Sequence, residues 1–288
     1  MNNTLDIKRF ALVFRKDLLE NWKRYLLLFL TLLGIMILVI TWQSMEHYRY
    51  AKDDCGEHIS DYIYHHRDMV TFLLIMFMVC GLLFASTCMS PMSSKIKRIS
   101  YLSNPASDLE KYLTRWTIVT IGYIIAFIVA LWIADILRVG ICSARYPNLN
   151  IHFLDLNTLI LHKKEESGVC EANLFRYLVA SAASGYLFHQ SLFILGATFW
   201  EKASFVKTFI AEMVIVLIYV FLCRWAILLS YGGFEGFDHV LNSFEINNRR
   251  IGIEQVTTIS LSFLSVFTLI NWILAYFRFR ESEVTKRL

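Results

Sequence analysis

Apolar residues in this 288-residue chain are gathered into long runs that carry few or no charges. Each run can cross about 30 Å of hydrocarbon at about 1.5 Å per residue. The runs lack the polar face that a surface helix of a soluble protein would show. The sequence therefore predicts an all-α polytopic membrane protein with one transmembrane domain over 1–288 and six transmembrane helices, at 25–42, 69–89, 116–137, 177–200, 208–229 and 259–277.

The pattern differs in segment 5–24, which precedes the first run. Apolar residues recur there at three- and four-residue steps, from Ile7 through Phe14 to Trp22, and basic residues lie largely on the rest of the helix surface. This pattern is typical of an amphipathic helix in the membrane interface. The other interpretation is that the basic residues only mark the cytoplasmic end of the first span. The length of the apolar stripe favours the interfacial helix.

Segment 90–115 contains a clear helix start. Pro105 forces the residue before it into an extended conformation. Ser107 and Glu110 have the spacing of a capping box, so we expect a helix to begin here and to lead into the third span. The residues before Pro105 alternate basic and apolar and could form a short amphipathic helix that contacts a partner or lipid headgroups. A solvated loop is equally compatible with this pattern.

Composition and charge exclude some classes of protein and predict the orientation in the membrane. The chain is 56% hydrophobic and only 18% charged, which excludes a disordered chain, and its net charge of +4 is too small for a nucleic-acid partner. With the N-terminus inside, the predicted inner segments carry 17 Lys and Arg in 68 residues and the outer ones 10 in 94. The positive-inside rule then predicts that both termini are cytoplasmic. The inner segments are 1–24, 90–115, 201–207 and 278–288, and the outer loops are 43–68, 138–176 and 230–258.

Enzymatic chemistry is not indicated. The sequence has no phosphate-binding GxxxxGK[ST] motif, no GxSxG and no paired Cys/His spacing, so we expect no catalytic site, no metal and no cofactor in this chain. Cys142 and Cys170 flank one outer loop and are candidates for a disulfide if the compartment is oxidising.

Polar and ionisable residues inside the predicted spans are candidates for function, because such residues are costly in hydrocarbon. Asp135 and Arg224 have similar predicted depths and could pair. The set can be interpreted as the lining of a path for a solute, or as interhelical hydrogen bonds with Arg224 reaching the outer interface. The structural interpretation is favoured for the Asp135–Arg224 pair. The candidates are Asp135, His189, Glu212, Arg224 and Asn271.

The layout of an interfacial helix, six spans and a cytoplasmic loop before the third span resembles the membrane subunit of type 2 ABC transporters. The local match is RISYLSNPASDLEKYLTRW, residues 98–116, which is similar to the LLxxPxS stretch of these permeases and more closely to permease-like membrane proteins of Bacteroidetes. In the family, this loop docks on the ATPase. The resemblance therefore implies that ATPase coupling involves Leu102, Pro105, Ser107 and Glu110.

The resemblance also implies a function. The chain would be the permease subunit of an ATP-driven exporter in the bacterial inner membrane, with ATP on a separate ATPase subunit and with a second permease, identical or related, beside it. The alternative is a membrane sensor or immunity-type protein that binds a ligand or partner through its outer loops. A secondary transporter is disfavoured, because no inverted repeat and no proline-broken span is present.

Overall fold

The structure is a computed structural model, and it describes residues 6–53, 59–92, 95–147, 151, 153–154, 170–200, 202–231 and 253–285. These residues form α-helices joined by turns, with no strand among them, so the all-α prediction is confirmed for this part of the chain. The helices are α1 (Ile7–Glu20), α2 (Trp22–Asp53), α3 (Ile59–Ser86), α4 (Lys95–Leu102), α5 (Asp108–Thr117), α6 (Tyr123–Arg145), α7 (Cys170–Phe199), α8 (Ser204–Tyr231) and α9 (Ile253–Thr285).

The predicted helix 5–24 is interrupted near its end. Asp6 caps α1 by accepting a hydrogen bond from the backbone N–H of Lys8, and α1 ends where Asn21 leaves the helical conformation. The Asn21 side-chain amide donates to both the backbone oxygen and the carboxylate of Asp17. Such a local bond competes with the helix ladder, so a second helix, α2, begins at Trp22.

Within the part of the chain that the structure describes, five helical stretches are long and apolar enough to cross a membrane, which makes this a membrane protein. They are Trp22–Glu46, Thr71–Met92, Asp108–Arg145, Ser204–Leu222 and Ser260–Glu281. The predicted span 177–200 lies in α7, which has 30 residues but is not one of the five. The middle of α7 carries three consecutive polar residues, His189, Gln190 and Ser191.

Several spans continue beyond the predicted hydrocarbon limits. The predicted outer loop 43–68 is largely helical, because α2 extends to Asp53 and α3 begins at Ile59. In the other two predicted outer loops, 138–176 and 230–258, residues 155–169 and 232–252 lie outside the described residues.

The helical stretch Asp108–Arg145, which contains the third predicted span, begins with the expected capping box. The backbone N–H of Glu110 donates to Ser107 Oγ at 3.3 Å, and Glu110 Oε2 accepts from the backbone N–H of Ser107 at 3.0 Å. After α5, the chain passes through a π-helical segment, Ile118–Gly122, and continues as α6. A π turn holds one extra residue, and such segments occur frequently at functional sites.

Two clusters of buried apolar side chains hold the bundle together. In the first, the ring of Phe77 lies 4.6 Å from Tyr186, 4.9 Å from Phe127 and 5.4 Å from Tyr123. Gly81 allows this packing, because a Cβ there would lie 2.6 Å from the Tyr186 hydroxyl. The second cluster joins α3, α5, α7 and α9, and its buried members include Met89, Tyr112, Val119, Phe193, Ile194, Ala275 and Phe279.

One end of the bundle gathers several elements that are distant in sequence. Tyr101 on α4 lies 6.4 Å from Phe279 near the end of α9, and Tyr112 on α5 donates from its hydroxyl to the backbone oxygen of Trp272 at 2.9 Å. We call this the α4 end. It also contains α1, whose contacts with α5 are described below.

Helices α7 and α8 form a tight hairpin, because only a few residues link them. Helix α7 ends at Phe199, α8 begins at Ser204, and Ala203 between them has a left-handed φ of 54°. The two helices approach closely at Gly196, where an added Cβ would lie 2.0 Å from Thr208 Oγ1 and 2.9 Å from Thr208 Cβ. Glycine is therefore required at this crossing.

We expect Gly196→Ala to destabilise the protein by about 1–3 kcal/mol, because the added methyl overlaps a β-branched side chain on the facing helix. The midpoint of thermal unfolding in detergent measures this loss. The control is Gly140→Ala on α6, where nothing lies within 4 Å of the added Cβ, so that no loss is expected. Equal melting of the two variants would contradict the close approach.

Candidate functional site

The N-terminal helix is fixed to the start of the third span through the Glu110 carboxylate. Glu110 is fully buried. Its Oε1 accepts from the backbone N–H of Asp6 at 2.9 Å and lies 3.1 Å from Arg9 Nη2, while its Oε2 completes the capping box. One carboxylate thus caps α5 and anchors α1, which precedes it by about a hundred residues.

A second ion pair joins α1 to α5. Arg115 Nη2 lies 2.5 Å from Asp17 Oδ1, and both side chains are buried. Tyr25 completes the group, since its hydroxyl donates to Asp17 Oδ2 at 3.0 Å and accepts from Arg115 Nη1 at 3.1 Å. Burial raises the pKa of Asp17, and the Arg115 guanidinium beside it opposes that rise. Charges taken out of water are tolerated when they are paired and hydrogen-bonded in this way.

Helix α4 is connected to the same group by Tyr101. The Arg115 guanidinium lies over the Tyr101 ring, 5.6 Å from its centre. The Tyr101 hydroxyl donates to the backbone oxygen of Lys111 at 3.0 Å, and burial raises the pKa of Tyr101 so that it stays neutral. At the other edge of α4, Arg98 donates to the backbone oxygen of Met92 at 2.9 Å. The Tyr101 contacts hold α4 against the start of the third span, and the Arg98 contact holds it against the turn that follows α3.

The opposite face of α4 is open. Ile96 is 83% exposed and Ile99 is 60% exposed, one turn apart on the same side of the helix. Of the two alternatives for the segment before Pro105, the structure has the short helix, and this helix presents branched apolar side chains outward. In a membrane protein, an exposed apolar face of this kind contacts either a partner or the lipid headgroup region.

The four residues that the resemblance assigns to ATPase coupling lie in different environments. Pro105 is exposed in the turn between α4 and α5. Ser107 and Glu110 are buried in the capping box, so they support the surface and do not form it. The side chain of Leu102 lies outside the described part of the chain.

The residues of this site differ in how far the sequence indicates them. Ile96 and Ile99 had a local signal, since they stand three residues apart in a basic segment. The partnership of Asp17 with Arg115 had none, because nothing in the sequence indicates which of several acidic and basic residues meet after folding.

Asp135 pairs with Arg138 and not with Arg224, the residue that its similar predicted depth suggested. Arg138 Nε donates to Asp135 Oδ1 at 2.7 Å on the next turn of α6, and the backbone N–H of Leu154 donates to Oδ2 at 3.0 Å. Arg138 also donates to the Tyr48 hydroxyl on α2 at 3.3 Å. The structure thus uses Asp135 to join α6, α2 and the segment after α6, while Arg224 is exposed on α8.

Three consecutive polar residues of α7 each contact a different neighbour. His189 Nδ1 contacts Glu212 Oε1 on α8. Gln190 donates to the backbone oxygen of Val119 in the π segment at 3.3 Å, and Ser191 Oγ accepts from Asn271 on α9 at 2.9 Å. These contacts agree with the interpretation of the polar residues as interhelical hydrogen bonds.

The remaining predictions concern a disulfide between Cys142 and Cys170 and the binding of a metal. Cys142 is a buried free thiol near the end of α6, and the side chain of Cys170 lies outside the described residues. Among the residues that the structure describes, no group of three or more His, Cys, Asp or Glu side chains could hold a metal ion.

Comparison with protein-family models, with curated proteins and with solved structures finds no match to this chain. A function is therefore argued from its own residues and their geometry.

We expect Arg115→Met to destabilise the protein by about 3–5 kcal/mol, because it leaves Asp17 buried without its cation. The double variant with Asp17→Asn should recover much of that loss, since neither charge is then unpaired. Thermal unfolding of both variants in detergent measures this double-mutant cycle.

The matched control for this cycle is the Lys16–Glu20 pair on α1, which is 3.7 Å long and exposed. Lys16→Ala should change stability by less than about 1 kcal/mol. Additive losses from Asp17→Asn and Arg115→Met would contradict a coupled buried pair.

Proposed function

We propose that this protein is the membrane permease subunit of an ATP-driven exporter and that a separate ATPase subunit docks on α4. The observation that carries the proposal is the exposed Ile96–Ile99 face of α4 on a base of buried ion pairs. A short helix held so firmly on one side, and apolar on the other, is suited to receive a partner that exerts force.

The contacts of α4 define a route by which such force could reach the membrane. Tyr101 touches Arg115, which belongs to the third span and is paired with Asp17 on α1. A displacement of α4 would therefore move α1 and the third span together. Conformational change of packed elements as rigid units is a common way to switch between two states.

The proposal includes the topology that the charge distribution predicts. With α7 as a sixth crossing, α1, α4 and the end of α9 face the cytoplasm, where an ATPase is accessible. The excess of Lys and Arg in the segments at this end supports that orientation. The chain itself has no nucleotide-binding motif, so the energy would come from ATP bound to the partner.

The test is co-purification of the ATPase with this protein from native membranes in mild detergent, with identification of bound proteins that carry a Walker motif. We expect Ile96→Glu combined with Ile99→Glu to reduce ATPase recovery at least about tenfold, because charges replace the apolar contact. The matched control is Phe153→Glu, since Phe153 is 61% exposed after α6, away from the α4 end.

Unchanged melting temperature would show that these variants still fold. Recovery of no ATPase with the unmodified protein would refute the permease proposal and favour the sensor interpretation. Equal ATPase recovery with the α4 variant and the Phe153 variant would refute α4 as the docking site.

A further inference from the structure

The contact between His189 and Glu212 is only partly enclosed. The exposed fraction is 42% for the His189 side chain and 17% for the Glu212 side chain. Glu212 lies about 12 Å along α8 from its first residue, and His189 lies about 15 Å before the end of α7, at about 1.5 Å per residue. An ionisable pair at such depth is costly beside hydrocarbon, which offers no hydrogen-bond partner.

The surface around this pair is apolar and open. In α8, only 6% of the most apolar stretch is buried, the smallest fraction among the five spans. Phe209 and Val216, one turn to either side of Glu212, are about half exposed. On α7, an exposed Ala182 and a Gly185 with nothing within 4 Å of its missing Cβ precede His189.

We propose that this surface binds the same surface of a second copy of this chain. We call it the α7–α8 face, and define it by Ala182, Gly185, His189, Phe209, Glu212 and Val216. A histidine beside a glutamate is self-complementary under twofold symmetry, because His189 of each copy then meets Glu212 of the other. The pair is thereby removed from hydrocarbon and gains a second set of hydrogen bonds.

The small residues on α7 favour this occupant. Membrane helices associate where Gly and Ala allow close backbone approach and where polar side chains bond across the interface. The α7–α8 face offers both, with Gly185 about one turn from His189. This proposal rests on the proposed function in one respect, that a permease of this kind works as a pair. It adds that the second permease is an identical copy and not a related chain.

The sharpest test mixes two single variants, His189→Leu and Glu212→Leu, with different fluorescent labels in vesicles at low protein density. Neither variant can form a His–Glu contact with its own kind, but a mixed pair restores one. We expect each variant alone to dimerise about tenfold more weakly than the unmodified protein, and the mixed dimer to exceed the random fraction. Single-molecule photobleaching measures both quantities.

A second measurement does not depend on the folding of these variants. A photoreactive phenylalanine analogue in place of Phe209 or Val216 should cross-link two copies on illumination. The same analogue in place of Ile128, which is 52% exposed on α6, is the matched control and should give no cross-linked dimer.

The outcomes separate the two proposals, because neither experiment requires an ATPase. Monomers at every density, random mixing of the two labelled variants, or cross-linking from position 128 alone would overturn the α7–α8 face as the interface. A mixed-dimer excess together with cross-linking from 209 or 216 would support it even if no ATPase is recovered.

Discussion

The buried ion pair between Asp17 and Arg115 is the constraint on which the α4 end depends. Two charges out of water are stable only while both remain in place, and Tyr25 and Tyr101 are arranged around them. The pair therefore couples α1, α4 and the third span as one unit. About one turn earlier on α5, the buried Glu110 forms a second ion pair with Arg9 of α1. The N-terminal helix is therefore held to α5 at two points.

The sequence predicts local structure well where the signal is local. Long apolar runs identify the spans, and the spacing of Ser107 and Glu110 identifies the start of α5, because a capping box involves only neighbouring residues. The tight α7–α8 hairpin follows from the short link between two apolar runs. The extent of α2 and α3 was underestimated, since helices continue past the hydrocarbon and polar residues there carry no periodic signal.

Pairing between distant residues could not be predicted. Asp135 and Arg224 have similar depths, but depth does not fix which side of a helix faces a neighbour, and Arg138 is closer on the same helix. Glu212 meets His189 across the hairpin, a contact that nothing in the sequence around either residue indicates. Which polar residues meet depends on the rotation and crossing of whole helices, which is set by side-chain packing throughout the bundle.

The π segment Ile118–Gly122 divides the third span into two faces. One additional residue in a turn rotates everything after it by about 100° relative to an uninterrupted α-helix. Tyr112 before it packs toward α9, while Tyr123 after it packs against Phe77 on α3. The two halves of the span are therefore rotated relative to each other about the helix axis. If the extra residue were removed, one half would face away from its neighbours whenever the other half packed correctly against its own.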